Sequence, residues 1–312
     1  MPRTDNDSWD ITSSVGETAL RVAAARAAET AKPHPLIRDP FAQLFLDAAG
    51  GAGRKVSFES GVTTGDSEVV AQLWARRQVI GEYMACRTAF FDEFFVSATD
   101  EGVRQVVILA AGLDSRAWRL PWPHGTTVYE IDQPAVLQFK SATLRTSGAR
   151  PMCTQVDVPV DLRHDWPTAL QQAGFDPAVA SAWSAEGLLP YLPARAQDLL
   201  FDRVHALSAG GSRLAVEAMA VDFPRSEQSR REQMRHLREA AEKMGRADVP
   251  NFEELWYFEE RTDLAEWLRA HGWDLSVVAS NELLSGYQRT VADDVADALP
   301  GSRFITARRA SR

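Results

Sequence analysis

The chain has 312 residues and a formal net charge of −9, with 45% hydrophobic and 25% charged residues. That mix supports a sizeable buried core and excludes a disordered chain, and no apolar run approaches the roughly 18 residues of a membrane span. The acidic balance repels polyanions, and no basic patch with interleaved aromatics offsets it, so neither nucleic acid nor an anionic membrane is an expected partner.

The first nine residues are polar and acidic, without the basic start and apolar stretch of a signal peptide. The two cysteines, Cys86 and Cys153, lie far apart with nothing to pair them, which fits a reduced, cytoplasmic setting. A monomer or small homo-oligomer is expected.

In chain order, Ser14 with Glu17 forms a capping box ahead of Ala19, Leu20, Ala23 and Ala24 at helical spacing, predicting a helix over 14–29. Lys32-Pro33-His34-Pro35 stops it, Asp39-Pro40 opens a short helix to about Asp47, and Gly50-Gly51-Ala52-Gly53 breaks that one. The stretch 66–95 holds neither Gly nor Pro except Gly81, so a long helix follows, bent at that glycine.

After Gly102 the pattern changes. Residues 103–110 form a near-continuous β-branched and apolar run, as in a central parallel strand buried on both faces. Similar runs recur at 126–131, 152–156, 178–183, 213–216, 275–279 and 304–307, with helical stretches near 134–145, 162–172 and 192–208 between the first five. Alternation of strand and helix predicts an α/β fold with an open sheet of seven mostly parallel strands. A charged helix over 224–245 interrupts the rhythm after the fifth strand. It reads either as a solvated face with mixed ion pairs or as a lid.

Four segments at strand ends carry the chemistry. In Ala110-Ala111-Gly112-Leu113-Asp114-Ser115-Arg116, the small residues let a ligand approach the backbone at the carboxyl edge of the sheet. Asp114 and Ala117 stand where a G-x-G-x-x-G turn would need further glycines, so no pyrophosphate cradle is formed. Tyr129-Glu130-Ile131-Asp132 places a carboxylate twenty residues beyond Gly112, where it can accept from ribose hydroxyls. Alternation puts Glu130 on the same side as Asp132, which is favoured for its place at the strand's mouth.

Asp161, beside Leu162, follows the third strand and suits an adenine ring, an acceptor for the amine and an apolar surface for the face. Asp161 as a plain helix cap is the rival reading. Glu186 follows the fourth strand, on the opposite wall of the same crevice, in Ala185-Glu186-Gly187-Leu188-Leu189-Pro190-Tyr191-Leu192. The six histidines show no metal-ligand spacing, and neither G-x-S-x-G nor H-E-x-x-H occurs.

The chain resembles the leucine carboxyl methyltransferase-like family, in particular its actinobacterial branch, over nearly its whole length. The resemblance rests on Trp9-Asp10, Ser14-Val15-Gly16, Pro35-Leu36-Ile37-Arg38-Asp39-Pro40, Arg87-Thr88 with Phe91-Asp92, the Ala110 to Arg116 turn with Trp118-Arg119-Leu120, Tyr129-Glu130-Ile131-Asp132-Gln133-Pro134, and Glu186-Gly187 with Tyr191-Leu192. It implies a class I methyltransferase with a Rossmann-like sheet and S-adenosyl-L-methionine as cofactor.

It also implies a helical cover over 1–101, a cofactor-binding domain over 102–312, and a helical insertion at about 222–260. Arg87 would pair with the methionine carboxylate, Gly112 would pass beneath the methionine part, and Asp132 would hold the ribose. Asp161 and Leu162 would frame the adenine, and Glu186 would sit near the amino group. Closure of the helices before Gly102 and of the 224–245 helix over the crevice is expected to leave Tyr191 near the acceptor. Family members of known role methylate a phosphatase C-terminus or a modified tRNA base, and neither recognition surface is copied here. A carboxylate or hydroxyl on a small molecule or peptide C-terminus is the expected acceptor. A non-catalytic cofactor-binding scaffold and a nicotinamide-dependent oxidoreductase are the alternatives.

Overall fold

A computed structural model describes residues 15–56, 68–219 and 255–311. The expected capping Ser14 and the expected helix over 224–245 lie outside them.

All seven expected strands form: β1 Gln105–Leu109, β2 Thr127–Asp132, β3 Thr154–Pro159, β4 Ser181–Ala185, β5 Arg213–Met219, β6 Trp273–Ala279 and β7 Ser302–Arg309. They make one sheet of order β3-β2-β1-β4-β5-β7-β6. β1 to β5 are parallel, and β7 enters antiparallel between β5 and β6. The order reverses between β1 and β4, and a crevice opens beyond the carboxyl ends of strands at such a reversal.

Alternation along the central strands fills both faces. Val106 and Ile108 join Leu20, Phe45, Phe91, Phe95 and Phe304 in one buried cluster. Val107 and Leu109 join Trp166, Trp183, Phe201 and Leu268 in the other. The first cluster draws on helices α1 Val15–Thr30, α2 Ala42–Ala48 and α4 Glu68–Asp100, so these N-terminal helices share a core with the sheet. The opposite face is covered by α7 Trp166–Gln172, α8 Ala194–Ala206 and α9 Leu264–Ala270.

Local chemistry explains where these elements differ from expectation. The glycine run does not end helical structure: Gly50, at φ +57°, turns the chain into α3 Gly51–Val56. A Cβ on Gly53 would lie 1.9 Å from the Leu46 carbonyl oxygen, so glycine is what lets α3 pack on α2. α7 begins later than 162, at Trp166, where Asp165 caps it by accepting from Thr168 N–H at 3.3 Å. Three short helices follow no apolar period long enough to read: α5 Arg116–Arg119, α9, and α10 Ser280–Gly286. α6 Pro134–Thr146 starts on its proline, whose fixed φ suits the first helical position.

Glu130 and Asp132, expected on the same side of β2, have different fates. Glu130 is wholly buried and pairs at 2.9 Å with Lys140 of α6, itself 0% exposed, while Gln155 donates to its other oxygen at 2.7 Å. Burial pushes the Glu130 carboxyl up to about 7 from 4.5, although Lys140 pulls it down. A carboxyl whose pKa is raised by folding binds its proton more tightly in the native state. Stability therefore falls as pH rises from 4.5 to about 7. In Glu130→Gln this part of the slope is expected to vanish, as read from urea unfolding at a series of pH values, whereas an unchanged slope would place its origin elsewhere.

Candidate functional site

A cleft of about 1270 Å³ lies over the carboxyl ends of β1, β2, β4 and β5. It is lined by Arg87, Gly112, Asp132, Asp161, Leu162, Glu186 and Tyr191, so every residue singled out from the sequence falls in one place. Gly16, Ala19 and Val22 of α1 line the same cleft. α1 is fastened there by Arg26, which pairs with Asp39 at 3.0 Å and donates to the Leu113 carbonyl at 2.6 Å.

The floor is the turn after β1. Ala110 has φ +52° and Gly112 has φ +49°, so the chain makes two left-handed steps within three residues. Glycine takes that conformation freely, and alanine does so at a cost held in place by its surroundings. The resulting turn carries the Gly112 N–H onto Asp132, which accepts it at 2.6 Å, and Asp132 also accepts from Gln133 N–H at 2.6 Å. Burial raises the Asp132 carboxyl above its usual range against the pull of these two donors. An ionised carboxylate offers about four acceptor positions, so two of those on Asp132 are left for ligand hydroxyls among the described residues.

Asp161 is in a different condition. One of its oxygens accepts from Arg163 N–H at 2.8 Å and Arg163 Nε at 2.9 Å, and the other from Gln133 Nε2 at 2.9 Å and Arg163 Nη2 at 2.7 Å. With all four positions taken, an amine could bond to Asp161 only by replacing one of these donors. Arg163 and the neighbouring hydrogen bonds, working against burial, hold the Asp161 carboxyl below its usual range.

The far wall is a buried ion network. Arg87 pairs through Nε with Glu186 at 3.0 Å and through Nη1 with Glu217 at 3.0 Å. Burial opposes the charge on Arg87, but Glu217 and Glu186 more than offset it and raise its pKa. Arg116, 1% exposed, reaches Asp92 at 2.6 Å and Glu186 at 2.8 Å and also pairs with Asp114. Glu186 thus bridges two guanidinium groups. Gly187, at φ +61°, brings its backbone beside Arg87, where a Cβ would stand 3.3 Å from Nη1.

Two residues of this wall escape sequence reasoning. Glu217 lies in β5 one residue past the apolar run, and Tyr83 lies among the apolar positions of α4. Glu217 accepts from the Tyr83 hydroxyl and from Gly187 N–H at 2.8 Å. The recurrence of acids at successive strand ends, in Asp132, Asp161 and Glu186, is the signal that would have reached Glu217 had β5 been drawn one residue longer.

The residues fit the cofactor implied by the family resemblance: a glycine turn without a pyrophosphate cradle, a carboxylate with acceptor capacity at the end of the next strand, and a buried guanidinium lining the same cleft. Comparison with known proteins agrees. Residues 19–205 match the leucine carboxyl methyltransferase family. A relative from Mycolicibacterium paratuberculosis is 56% identical over 100% of this chain and 98% of its own, and one from Mycobacterium tuberculosis strain H37Ra is 55% identical over 100% of both. Both are provisionally named S-adenosyl-L-methionine-dependent methyltransferases. The crystal structure of a DUF574 family protein from Streptomyces avermitilis shares the fold at 15% identity, with a TM-score of 0.50 over 85% of this chain and 95% of that one. The chain belongs to the leucine carboxyl methyltransferase family of S-adenosyl-L-methionine-dependent methyltransferases.

Proposed function

We propose that the chain transfers a methyl group from S-adenosyl-L-methionine to an oxygen acceptor, a carboxylate or hydroxyl on a small molecule or a peptide C-terminus. The observation that carries this reading is the meeting of Gly112, Asp132 and Arg87 in one cleft with space to spare. Pockets for one drug-sized ligand run to roughly 300–1,000 Å³, and this cleft, at about 1270 Å³, has room for an acceptor beside the cofactor.

In this reading Asp132 accepts from the ribose hydroxyls, Gly112 underlies the methionine part, and Arg87 offers its guanidinium to the methionine carboxylate. Glu186 orients Arg87 and stands near the amino group. Leu162 packs on the adenine, and Asp161 takes its amine in exchange for one present donor. Tyr191, beside Trp256 at 6.3 Å between ring centroids, belongs to the acceptor wall. The described residues up to 101 act as a cover over a cofactor domain that runs from 102.

Methyl transfer from a sulfonium is an in-line displacement, so alignment and exclusion of water contribute most. A carboxylate acceptor is ionised at neutral pH and needs no general base. Incubating cell extract with this protein and methyl-labelled S-adenosyl-L-methionine tests the assignment. Label is expected in a base-labile ester or a stable ether, and label confined to RNA, or none transferred at all, would overturn it.

A further inference from the structure

Glu217 gathers four parts of the fold. Its Oε2 accepts from Gly187 N–H at 2.8 Å and from Arg87 Nη1 at 3.0 Å, and its Oε1 accepts from the Tyr83 hydroxyl and, at 3.4 Å, from Ser302. The loop after β4, the long helix α4, β5 and the start of β7 meet on this carboxylate, which lines the cleft.

The charges around it do not balance. The buried network contains four acids, Asp92, Asp114, Glu186 and Glu217, against three arginines, Arg87, Arg116 and Arg119. Their side chains are at most 15% exposed, and among the described residues one negative charge is left over. Nearby buried cations are already engaged, Lys140 by Glu130 and Arg26 by Asp39. Buried charge without a partner is costly, so a cationic ligand in the cleft would complete the network. Glu217 and Asp114 each line the cleft while contacting one arginine, whereas Glu186 contacts two; both contacts of Asp114 go to Arg116, and Glu217 is the one set beside Arg87 at the methionine end of the cleft. At the ribose end Asp132 adds a further acid, held by backbone donors.

We infer that Glu217 supplies the fixed negative charge by which this site distinguishes the sulfonium cofactor from its neutral thioether product. The inference rests on the methyltransferase reading. Within the cofactor the amino and carboxylate charges of the methionine end cancel, so its net positive charge resides at sulfur. In the reaction an acceptor oxygen lone pair forms the new O–CH₃ bond, the S–CH₃ bond breaks, and its electron pair stays on sulfur. The charge that Glu217 matches is then gone, which favours exchange of the spent cofactor for a fresh one.

Calorimetric titration of the full chain with S-adenosyl-L-methionine, S-adenosyl-L-homocysteine and sinefungin, which carries an ammonium group in place of the sulfonium, tests this without knowledge of the acceptor. In Glu217→Gln the two cationic ligands are expected to weaken about tenfold more than the thioether. Arg87→Met leaves a second acid uncompensated and should shift the ratio the other way, although all three ligands bind more weakly. Equal weakening of all three in Glu217→Gln would show that Glu217 merely holds Gly187 and Arg87, and would overturn the inference. If that variant does not fold, the ratio in Arg87→Met decides, and failure to rise counts against it. Binding of none of the three by the unaltered protein would instead defeat the cofactor assignment itself.

Discussion

Asp132→Ala is expected to weaken S-adenosyl-L-methionine binding by more than about 100-fold, as measured by calorimetry. Two ligand hydroxyls donating to one carboxylate form charge-assisted bonds worth about 1.5–3 kcal/mol each, and their joint loss exceeds the roughly 2.7 kcal/mol that corresponds to 100-fold. The substitution also frees the Gly112 N–H, which Asp132 holds at 2.6 Å, so the left-handed turn loses its tether. Asp132→Asn keeps an acceptor and the tether without the charge, and should fall between the two. Affinity within about threefold of the unaltered protein in Asp132→Ala would remove the ribose from this end of the cleft.

The second large effect concerns stability. Arg116→Met should destabilise the fold by about 3–5 kcal/mol, because it strands Asp114 in a buried setting and takes from Asp92 and Glu186 one of their two guanidinium partners. Burial pushes the Asp114 carboxyl up, but Arg116, together with Lys140 and Arg26, outweighs it and keeps that carboxyl below its usual range. Without the guanidinium, burial raises the Asp114 carboxyl, which then takes up a proton more readily. The loss should therefore be smaller in mildly acidic buffer than at pH 8, which urea unfolding at both conditions would show. A loss below about 1 kcal/mol at either pH would mean the network relaxes onto water.

The sheet was legible because central parallel strands must be apolar on both faces, and runs such as Val106 to Leu109 cannot be mistaken for a helix one turn long. Gly112 and Asp132 were legible for a related reason: one marks a close backbone approach and the other a charge at a strand's mouth. The ion network was not. Arg116 reads as an ordinary basic residue in a helical turn, and only the approach of α4 to the β1 turn turns Thr88, Asp92 and Arg116 into neighbours. Asp161 shows a subtler gap. Its position was predictable, but its acceptor positions are filled by Arg163, two residues on, and by Gln133 from the preceding strand end. α3 eluded the pattern because a glycine that permits close packing looks, in one dimension, like a glycine that breaks a helix.

The placement of β7 sets an order of assembly. β1 to β5 find their neighbours from residues already present, but β5 keeps an open edge until the last strand of this sequence arrives, because β7 lies between β5 and β6. During synthesis, at about 5–20 residues per second, that edge is a place in the middle of the finished sheet where another chain could pair in the interim. Ser302 is the first residue of β7 and reaches both the Tyr83 hydroxyl, at 2.9 Å, and Glu217. The step that seals the sheet therefore also finishes the cleft, and a nascent chain with its cofactor site complete is one whose vulnerable edge is already closed.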